Sequence, residues 1–186
     1  IPKEYKSFIY QKDYFLALCR IEPENNVDLI LHTFKNSKEK NLLFIGNWQV
    51  SKFSKNIYHK YKNNRNIFLI GPIYNKKLIS QIRKKSIGYI HGHSVGGTNP
   101  SLIEAIYFEQ LCISFDVSFN RQTLKNNGLF WKDAKELEAI IINPNLKTYK
   151  NKFNKNLKII ATKDYSWKNV IKKYEDLFFK NKLSKP

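Results

Sequence analysis

Residues 87–106 read IGYIHGHSVGGTNPSLIEAI and contain three successive local patterns. The apolar run at 87–90 has the composition of a buried strand, and residues 92–99 form a loop that is rich in glycine. The segment that begins at Pro100 then places its apolar residues at helical spacing. A strand, a short loop and a helix in this order form the repeating unit of a parallel α/β sheet.

The same unit recurs along most of the chain. Short apolar runs predict strands at 14–19, 42–45, 67–70, 87–90, 112–115 and 128–131. Helical spacing predicts helices around 27–34, 53–61, 78–82, 102–106 and 134–142, with a last helix from Ser166. Continuous apolar strands are typical of a sheet that is buried on both sides. The predicted fold class is therefore α/β, a Rossmann-like parallel sheet with helices on both faces.

The composition limits the classes of function. The chain has 186 residues, the length of one domain, and a formal net charge of +18. Its 33 basic residues comprise 29 Lys and only 4 Arg, beside 21 Asn, as expected when an AT-rich genome fills tolerant surface positions. This favours a solvated basic surface over a nucleic-acid footprint, which stays the alternative. Cys19 and Cys112 lie in apolar runs and are predicted to be buried, reduced thiols of a cytoplasmic protein.

Ligands of an open parallel sheet bind at the carboxyl ends of its strands. Five loops follow predicted strands: residues 20–26, 46–51, 71–75, 92–101 and 116–123. No run approaches the roughly 20 apolar residues of a membrane-spanning helix. Neither a metal-ligating cluster nor an Asp-x-Asp sequence occurs, so no metal or other cofactor is predicted.

The loop at 92–101 has the features of an anion site. Gly96 and Gly97 allow positive φ angles and close approach of a ligand, while Asn99 and Pro100 are suited to begin a helix. The amino end of that helix would face a bound phosphate. Glu104, about one turn further, could complement the helix dipole or accept the two hydroxyls of a ribose.

Arg20 directly follows the first predicted strand. Its guanidinium could pair with Glu22 or Glu24, remain solvated, or reach a phosphate across the carboxyl edge of the sheet. His93 lies within the glycine-containing loop and could brace that loop or donate to a phosphate or a sugar hydroxyl. His91 is expected to point into the interior, and His32 and His59 are expected on helix surfaces.

Residues 20–26 (RIEPENN) and 92–105 (GHSVGGTNPSLIEA) together resemble the donor-binding, C-terminal half of the retaining GT-B glycosyltransferases. Within that large family they resemble the bacterial capsule and O-antigen rhamnosyltransferases. The segments 46–48, 69–74 and 165–167 support the resemblance, which covers the chain from about Tyr14 to Phe178.

The resemblance implies a hexosyltransferase whose donor is a nucleotide-diphosphate sugar, with dTDP-rhamnose as the best match, in surface polysaccharide synthesis. The resemblance also implies a role for each matching residue. Arg20, Gly97, Thr98 and Asn99, with His93, would bind the donor diphosphate and sugar. Glu104 would accept the ribose hydroxyls, and Ile73 would hold the base. The catalytic residues are not identified. Two positions depart from the broad family: Asn25 stands in place of a Lys, and Gly96 in place of a Glu.

The resemblance also implies a second domain. Residues 1–13 would form the linker from an N-terminal domain that binds the acceptor, and residues 14–186 the donor domain. The chain contains no Met and is interpreted as part of a longer protein, so alone it should bind donor without turnover. The acceptor would be a lipid-linked saccharide, with the basic surface in peripheral contact with the inner membrane face. A dehydrogenase is disfavoured, because no Gly-x-Gly-x-x-Gly follows the first strand.

Overall fold

The computed structural model describes residues 13–180. The predicted linker, residues 1–13, lies outside the described residues except for Asp13. Within the described range, six short strands alternate with helices along the chain. No helix there has both the length and the apolarity needed to cross a membrane.

Each strand is three or four residues long. The strands are β1 (Phe15–Leu18), β2 (Leu42–Ile45), β3 (Ile67–Ile70), β4 (Tyr89–His91), β5 (Cys112–Phe115) and β6 (Leu129–Trp131). The helices are α1 (Val27–Asn36), α2 (Lys52–Tyr61), α3 (Lys76–Lys85), α4 (Pro100–Tyr107), α5 (Ser118–Leu124), α6 (Ala134–Ile141), α7 (Leu146–Asp164) and α8 (Trp167–Lys180), and a short 3-10 helix (Pro23–Asn25) precedes α1.

All six strands are parallel, in the order β3-β2-β1-β4-β5-β6. In the centre of the sheet, Leu16 of β1 lies beside Tyr89 of β4, and Ala17 lies beside Ile90. The strand order reverses between β1 and β4, and open α/β sheets bind ligands at the carboxyl edge near such a reversal. The loops that contain Arg20 and the glycines are the ones that follow these two strands.

Both faces of the sheet are covered by helices. Alternate strand residues point to opposite faces, so Phe15 and Ala17 belong to one buried cluster and Tyr14 and Leu16 to the other. The first cluster includes apolar residues of α1, α2 and α6, and the second includes apolar residues of α3, α4 and α7. The predicted fold class, a Rossmann-like sheet with helices on both faces, is confirmed.

The loop predicted at 116–123 is mostly helical. Residues 118–124 form α5, whose buried residues are Asn120, Thr123 and Leu124. Because polar residues contribute much of its buried side, the segment lacks the apolar stripe by which helices are predicted. Asn120 explains this burial, since its Nδ2 atom donates to the carbonyl oxygens of His93 and Phe115, each at 2.9 Å. Residues 146–164, which are rich in Lys and Asn, form the helix α7.

Candidate functional site

Arg20 begins the loop that leaves β1. Its side chain is exposed, and among the residues that the structure describes no acidic side chain forms an ion pair with it. The suggested pairing with Glu22 or Glu24 is therefore absent here. The loop continues through the 3-10 helix to Asn26, which adopts a left-handed backbone conformation with φ of 51°. This conformation turns the chain directly into α1.

Asn25, where the resembled family has a Lys, is buried and 3% exposed. Its Nδ2 atom donates to the carbonyl oxygen of Arg20 at 2.9 Å, and its Oδ1 atom lies 3.0 Å from Nδ1 of His93. Since an amide oxygen only accepts, Nδ1 of His93 carries a proton in this pair. A residue that sequence comparison treats as a lost positive charge is a link between two loops of the site.

Further hydrogen bonds join the same two loops. Asn26 donates through Nδ2 to the carbonyl oxygen of Gly92 at 2.8 Å. The backbone N–H and the hydroxyl of Ser94 both donate to the carbonyl oxygen of Glu24, at 2.9 and 2.8 Å. The loops after β1 and β4 are thus held together without any ligand.

The glycines of the second loop have different local surroundings. A Cβ atom on Gly92 would overlap the carbonyl oxygen of Asn25, so the loops approach too closely for any side chain. Gly96 has φ of 114°, which side chains rarely tolerate. A Cβ on Gly97 would meet nothing within 4 Å. Gly92 is therefore required by packing, whereas Gly97 leaves open space beside the backbone.

Free backbone donors lie in this loop rather than in the helix itself. Asn99 caps α4, because its Oδ1 atom accepts from the N–H of Ser101 at 2.9 Å, and Pro100 follows as predicted. Within the described part of the chain, the N–H groups of Gly96, Gly97 and Thr98 donate no hydrogen bond. These N–H groups precede the positive end of the helix dipole, an arrangement that suits an oxyanion.

His93 braces the loop, and its ring is partly buried. Burial lowers its pKa, the carboxylate of Glu24 opposes this change, and the charge of Arg20 adds to it. The ring is therefore neutral near pH 7. Arg20 and His93 therefore contribute to the same local electrostatic environment.

Glu104 is exposed, as a ligand-binding carboxylate would be, but it is not free. Its Oε2 atom accepts from Nη2 of Arg83 at 2.6 Å. It lies beyond the first turn of α4, where the dipole effect has faded. The alternative of a dipole-complementing acid is therefore wrong, and the partner is a residue on α3. One sequence feature singles out Arg83: it is one of four Arg in a chain that otherwise uses Lys.

Ile73 follows β3 in the edge loop. Ile73 is partly buried and packs against the second core cluster. The adjacent Tyr74 is 88% exposed. Among the described residues, no hydrogen bond joins Ile73 to Arg20 or His93. The residue predicted to hold the base therefore lies outside the two hydrogen-bonded loops.

His91 lies beneath the loop at the end of β4. It is buried as predicted, and burial together with the charge of His93 lowers its pKa to about 3. Its Nε2 atom has no hydrogen-bond partner in the structure. His32 and His59 are exposed, as predicted. Cys112 is buried as predicted, whereas Cys19 is only partly buried. Desolvation of the thiols raises the pKa of both to about 12, so both are protonated near neutral pH.

A metal site is not found in the described residues, where no group of three or more His, Cys, Asp or Glu side chains could hold an ion. The described loops after β1 and β4 combine an exposed Arg20 with free backbone N–H groups, chemistry that suits an anion.

Solved structures share the fold. A glycosyltransferase from Rickettsia africae ESF-5 is 14% identical with a TM-score of 0.77, over 100% of this chain and 53% of its own. E. coli trehalose-6-phosphate synthase with UDP-2-fluoro glucose is 12% identical with a TM-score of 0.72, over 96% and 45%. A variant of S. aureus TarM in complex with UDP, fondaparinux and alpha-GlcNAc-glycerol is 16% identical with a TM-score of 0.68, over 90% and 36%.

The fold is thus that of one half of a GT-B glycosyltransferase. The sequence matches the family described as glycosyl transferases group 1 over residues 4–163, and the chain belongs to that family. None of the curated proteins matches the chain. The chain spans about a third to a half of the length of these solved structures.

Proposed function

We propose that this chain is the donor-binding half of a retaining glycosyltransferase, which binds a nucleotide-diphosphate sugar for transfer of a hexosyl group to a saccharide. The observation that carries the proposal is the joined pair of loops after β1 and β4. Asn25 links the Arg20 backbone to the His93 ring, and three loop N–H groups have no partners in the described structure. Family membership supports the same activity.

The chemistry proposed for these two loops is stabilisation of a leaving group. When the bond between the sugar and the diphosphate breaks, negative charge grows on the diphosphate oxygens. Arg20 would pair with that charge, and the N–H groups of Gly97 and Thr98 would donate to it. Because these donors are held by the fold beforehand, little reorganisation is needed as the charge develops.

For the donor, we propose Glu104 as the acceptor of the ribose hydroxyls and the loop of Ile73 as the neighbour of the base. The resemblance to rhamnosyltransferases favours dTDP-rhamnose, whereas two of the similar structures were solved with UDP or a UDP sugar. A carboxylate that accepts both ribose hydroxyls distinguishes these donors, because the deoxyribose of dTDP lacks the 2′ hydroxyl. We expect dTDP to retain only the 3′ interaction.

Turnover would require a second domain and an acceptor. Val50, Tyr74 and Val95 follow β2, β3 and β4, and they are 67%, 88% and 64% exposed. Exposed apolar side chains grouped on one edge are typical of a surface that another partner covers. We propose that an N-terminal domain, bearing a lipid-linked saccharide, closes over this edge and that the chain alone does not transfer sugar.

We also propose that the parent enzyme acts in surface polysaccharide synthesis at the cytoplasmic membrane face. The net charge of +18 would favour anionic lipid. Sedimentation with liposomes checks this: binding should rise with the fraction of anionic lipid, and binding that is independent of lipid charge would contradict it.

The central test is calorimetric titration of the chain with UDP and dTDP. We expect saturable binding of at least one nucleotide at millimolar concentration or below, and no heat from either would contradict the donor site. Single-stranded DNA serves as the comparison ligand. Tighter binding to DNA, with affinity that falls steeply as salt increases, would favour the nucleic-acid alternative.

A further inference from the structure

Arg83 is a charged side chain in the interior of the protein. It lies in the last turn of α3, and its side chain is 0% exposed. Removing a guanidinium from water is strongly unfavourable unless other groups satisfy its charge and its donors. The structure provides partners for Nη1 and Nη2, while Nε is buried without a hydrogen-bond partner among the described residues. The groups that contact Nη1 and Nη2 indicate what Arg83 does.

Two side chains accept from its guanidinium. Nη1 donates to Oε1 of Gln110 at 3.0 Å, and Nη2 donates to Oε2 of Glu104 at 2.6 Å. The rings of Tyr89 and Phe108 lie 5.4 and 5.7 Å from its Cζ atom. Hydrogen bonds and aromatic rings together restrict the guanidinium to one position.

Gln110 is itself fixed. Its Nε2 atom donates to the Ser86 hydroxyl oxygen at 2.7 Å and to the carbonyl oxygen of Arg83 at 3.1 Å. A buried series of Ser86, Gln110 and Arg83 thus ends at a single surface carboxylate, Glu104.

Glu104 differs from Arg83 in its exposure. Its side chain is 58% exposed, and only its Oε2 atom accepts a side-chain hydrogen bond in the described structure. A free glutamate at such a position samples several rotamers, which a ligand must restrict on binding. The ion pair with a fixed cation removes much of that freedom and leaves Oε1 without a side-chain partner among the described residues.

We propose that Arg83 is a positioning residue, which holds the Glu104 carboxylate in the orientation that accepts the vicinal hydroxyls of a donor ribose. This inference rests on the proposed function, in which Glu104 binds that ribose. Arg83 itself does not contact the nucleotide. It acts through Glu104 alone.

The choice of residue agrees with this role. Surface cations of this chain are mostly Lys, whereas this interior position has Arg. A lysine ammonium is a point charge, but a guanidinium donates to two acceptors in fixed directions, here an amide oxygen and a carboxylate. Arg83→Lys should therefore retain the charge and lose the simultaneous hold on Gln110 and Glu104.

The test compares two nucleotides that differ only in the ribose hydroxyls, UDP and 2′,3′-dideoxyuridine diphosphate. Calorimetry is performed on the whole chain and on Arg83→Met, Arg83→Lys, Glu104→Ala and the double variant Arg83→Met/Glu104→Ala. Lys84→Met, an exposed neighbour on the same helix, is the matched control. Circular dichroism establishes which variants are folded.

We expect Arg83→Met to weaken UDP binding about tenfold, the size of one charge-assisted hydrogen bond, and to leave dideoxy nucleotide binding unchanged. The double variant should bind UDP no more weakly than Glu104→Ala. If Arg83→Met does not fold, Arg83→Lys becomes the deciding variant. We expect it to weaken UDP binding by a smaller factor and to leave dideoxy nucleotide binding unchanged.

Equal losses on both nucleotides, or no loss on UDP, would overturn the positioning role, since a purely structural residue affects both ligands alike. The proposed function is tested separately, by nucleotide binding to the unmutated chain. If that chain binds neither nucleotide, or binds both equally well, Glu104 has no ribose role, and the inference about Arg83 is overturned with it.

Discussion

The Oδ1 atom of Asn25 lies 3.0 Å from Nδ1 of His93, and this contact connects the ends of two neighbouring strands, β1 and β4. The same Asn25 side chain holds the carbonyl oxygen of Arg20. The backbone positions of the proposed phosphate contacts are therefore set before a donor binds. A site that is organised in advance loses less entropy on binding.

Asn25→Ala should lower both stability and donor affinity. It removes two hydrogen bonds and leaves Nδ1 of His93 without its partner, whereas the carbonyl oxygen of Arg20 still accepts from the N–H of Glu22 at 3.0 Å. We therefore expect the free energy of unfolding to fall by about 1–3 kcal/mol. Asn25→Lys restores the residue of the broader family, yet should not restore affinity, because the ammonium would enter a buried position. Urea unfolding and UDP titration measure the two effects.

Asn47→Ala is the control for Asn25. Asn47 is an exposed residue of the loop after β2, and its Oδ1 atom accepts only from the N–H of Gln49, at 3.2 Å. Its replacement should leave unfolding and binding nearly unchanged. A stable Asn25→Lys protein that binds UDP more tightly than the unmutated chain would show that the lost family Lys, rather than the loop contact, matters here.

The strands were predictable because each is a short apolar run buried on both faces. Residues 42–45, 67–70 and 112–115 match the strands found, and the first strand differs only at its ends, Phe15–Leu18 against the predicted 14–19. The helix α5 was missed, because its buried side contains Asn120 and Thr123. Tertiary hydrogen bonds, which no local pattern contains, determine that element.

The candidate site was predictable only in part. Loop position and glycine content identify residues 92–99, since a parallel sheet brings its carboxyl ends to one edge. The role of Asn25 depends on contacts between the loops after β1 and β4, which are 68 residues apart at the Asn25–His93 pair. The partner of Glu104 is 21 residues away on another helix, so no spacing rule could choose between its two predicted roles.

The two glycines of the second loop should respond differently to alanine. Gly92→Ala forces a Cβ against the carbonyl oxygen of Asn25 and 2.8 Å from Cδ1 of Ile30, so it should unfold the protein or reduce its stability strongly. Gly97→Ala meets nothing within 4 Å and should change stability by less than about 0.5 kcal/mol. Its methyl group would nevertheless occupy the space next to the free N–H groups. UDP binding by Gly97→Ala should therefore weaken while its urea midpoint stays constant.

Gly71→Ala is the control for stability, because a Cβ there also meets nothing within 4 Å. It should leave the urea midpoint unchanged. Undiminished UDP affinity in Gly97→Ala would mean that the ligand does not approach the backbone at this point.

Arg20→Ala should weaken UDP binding about 10- to 100-fold, the effect of one or two charge-assisted hydrogen bonds. Stability should hardly change, since the side chain is exposed and forms no ion pair with the described acidic residues. Arg65→Ala, an exposed arginine just before β3, controls for the loss of one positive charge. Equal losses in the two variants, measured by calorimetry, would assign the effect to net charge rather than to a contact.

His91 should make the protein less stable in mild acid. Its pKa is about 3 in the fold, because burial disfavours the charged ring, and about 6.5 in the unfolded chain. The unfolded state therefore binds the proton more readily, so this contribution to stability is complete above pH 6.5 and declines as the pH falls from 6.5 towards 3. The slope is about 1.4 kcal/mol per pH unit, or about 2 kcal/mol between pH 7 and 5.

Urea unfolding at pH 7 and pH 5 measures this loss of stability. The unmutated chain and His59→Gln, an exposed control, should both show it. In His91→Gln the loss between the two pH values should be smaller by about 2 kcal/mol. The same pH dependence in all three proteins would mean that the His91 ring is readily protonated inside the fold.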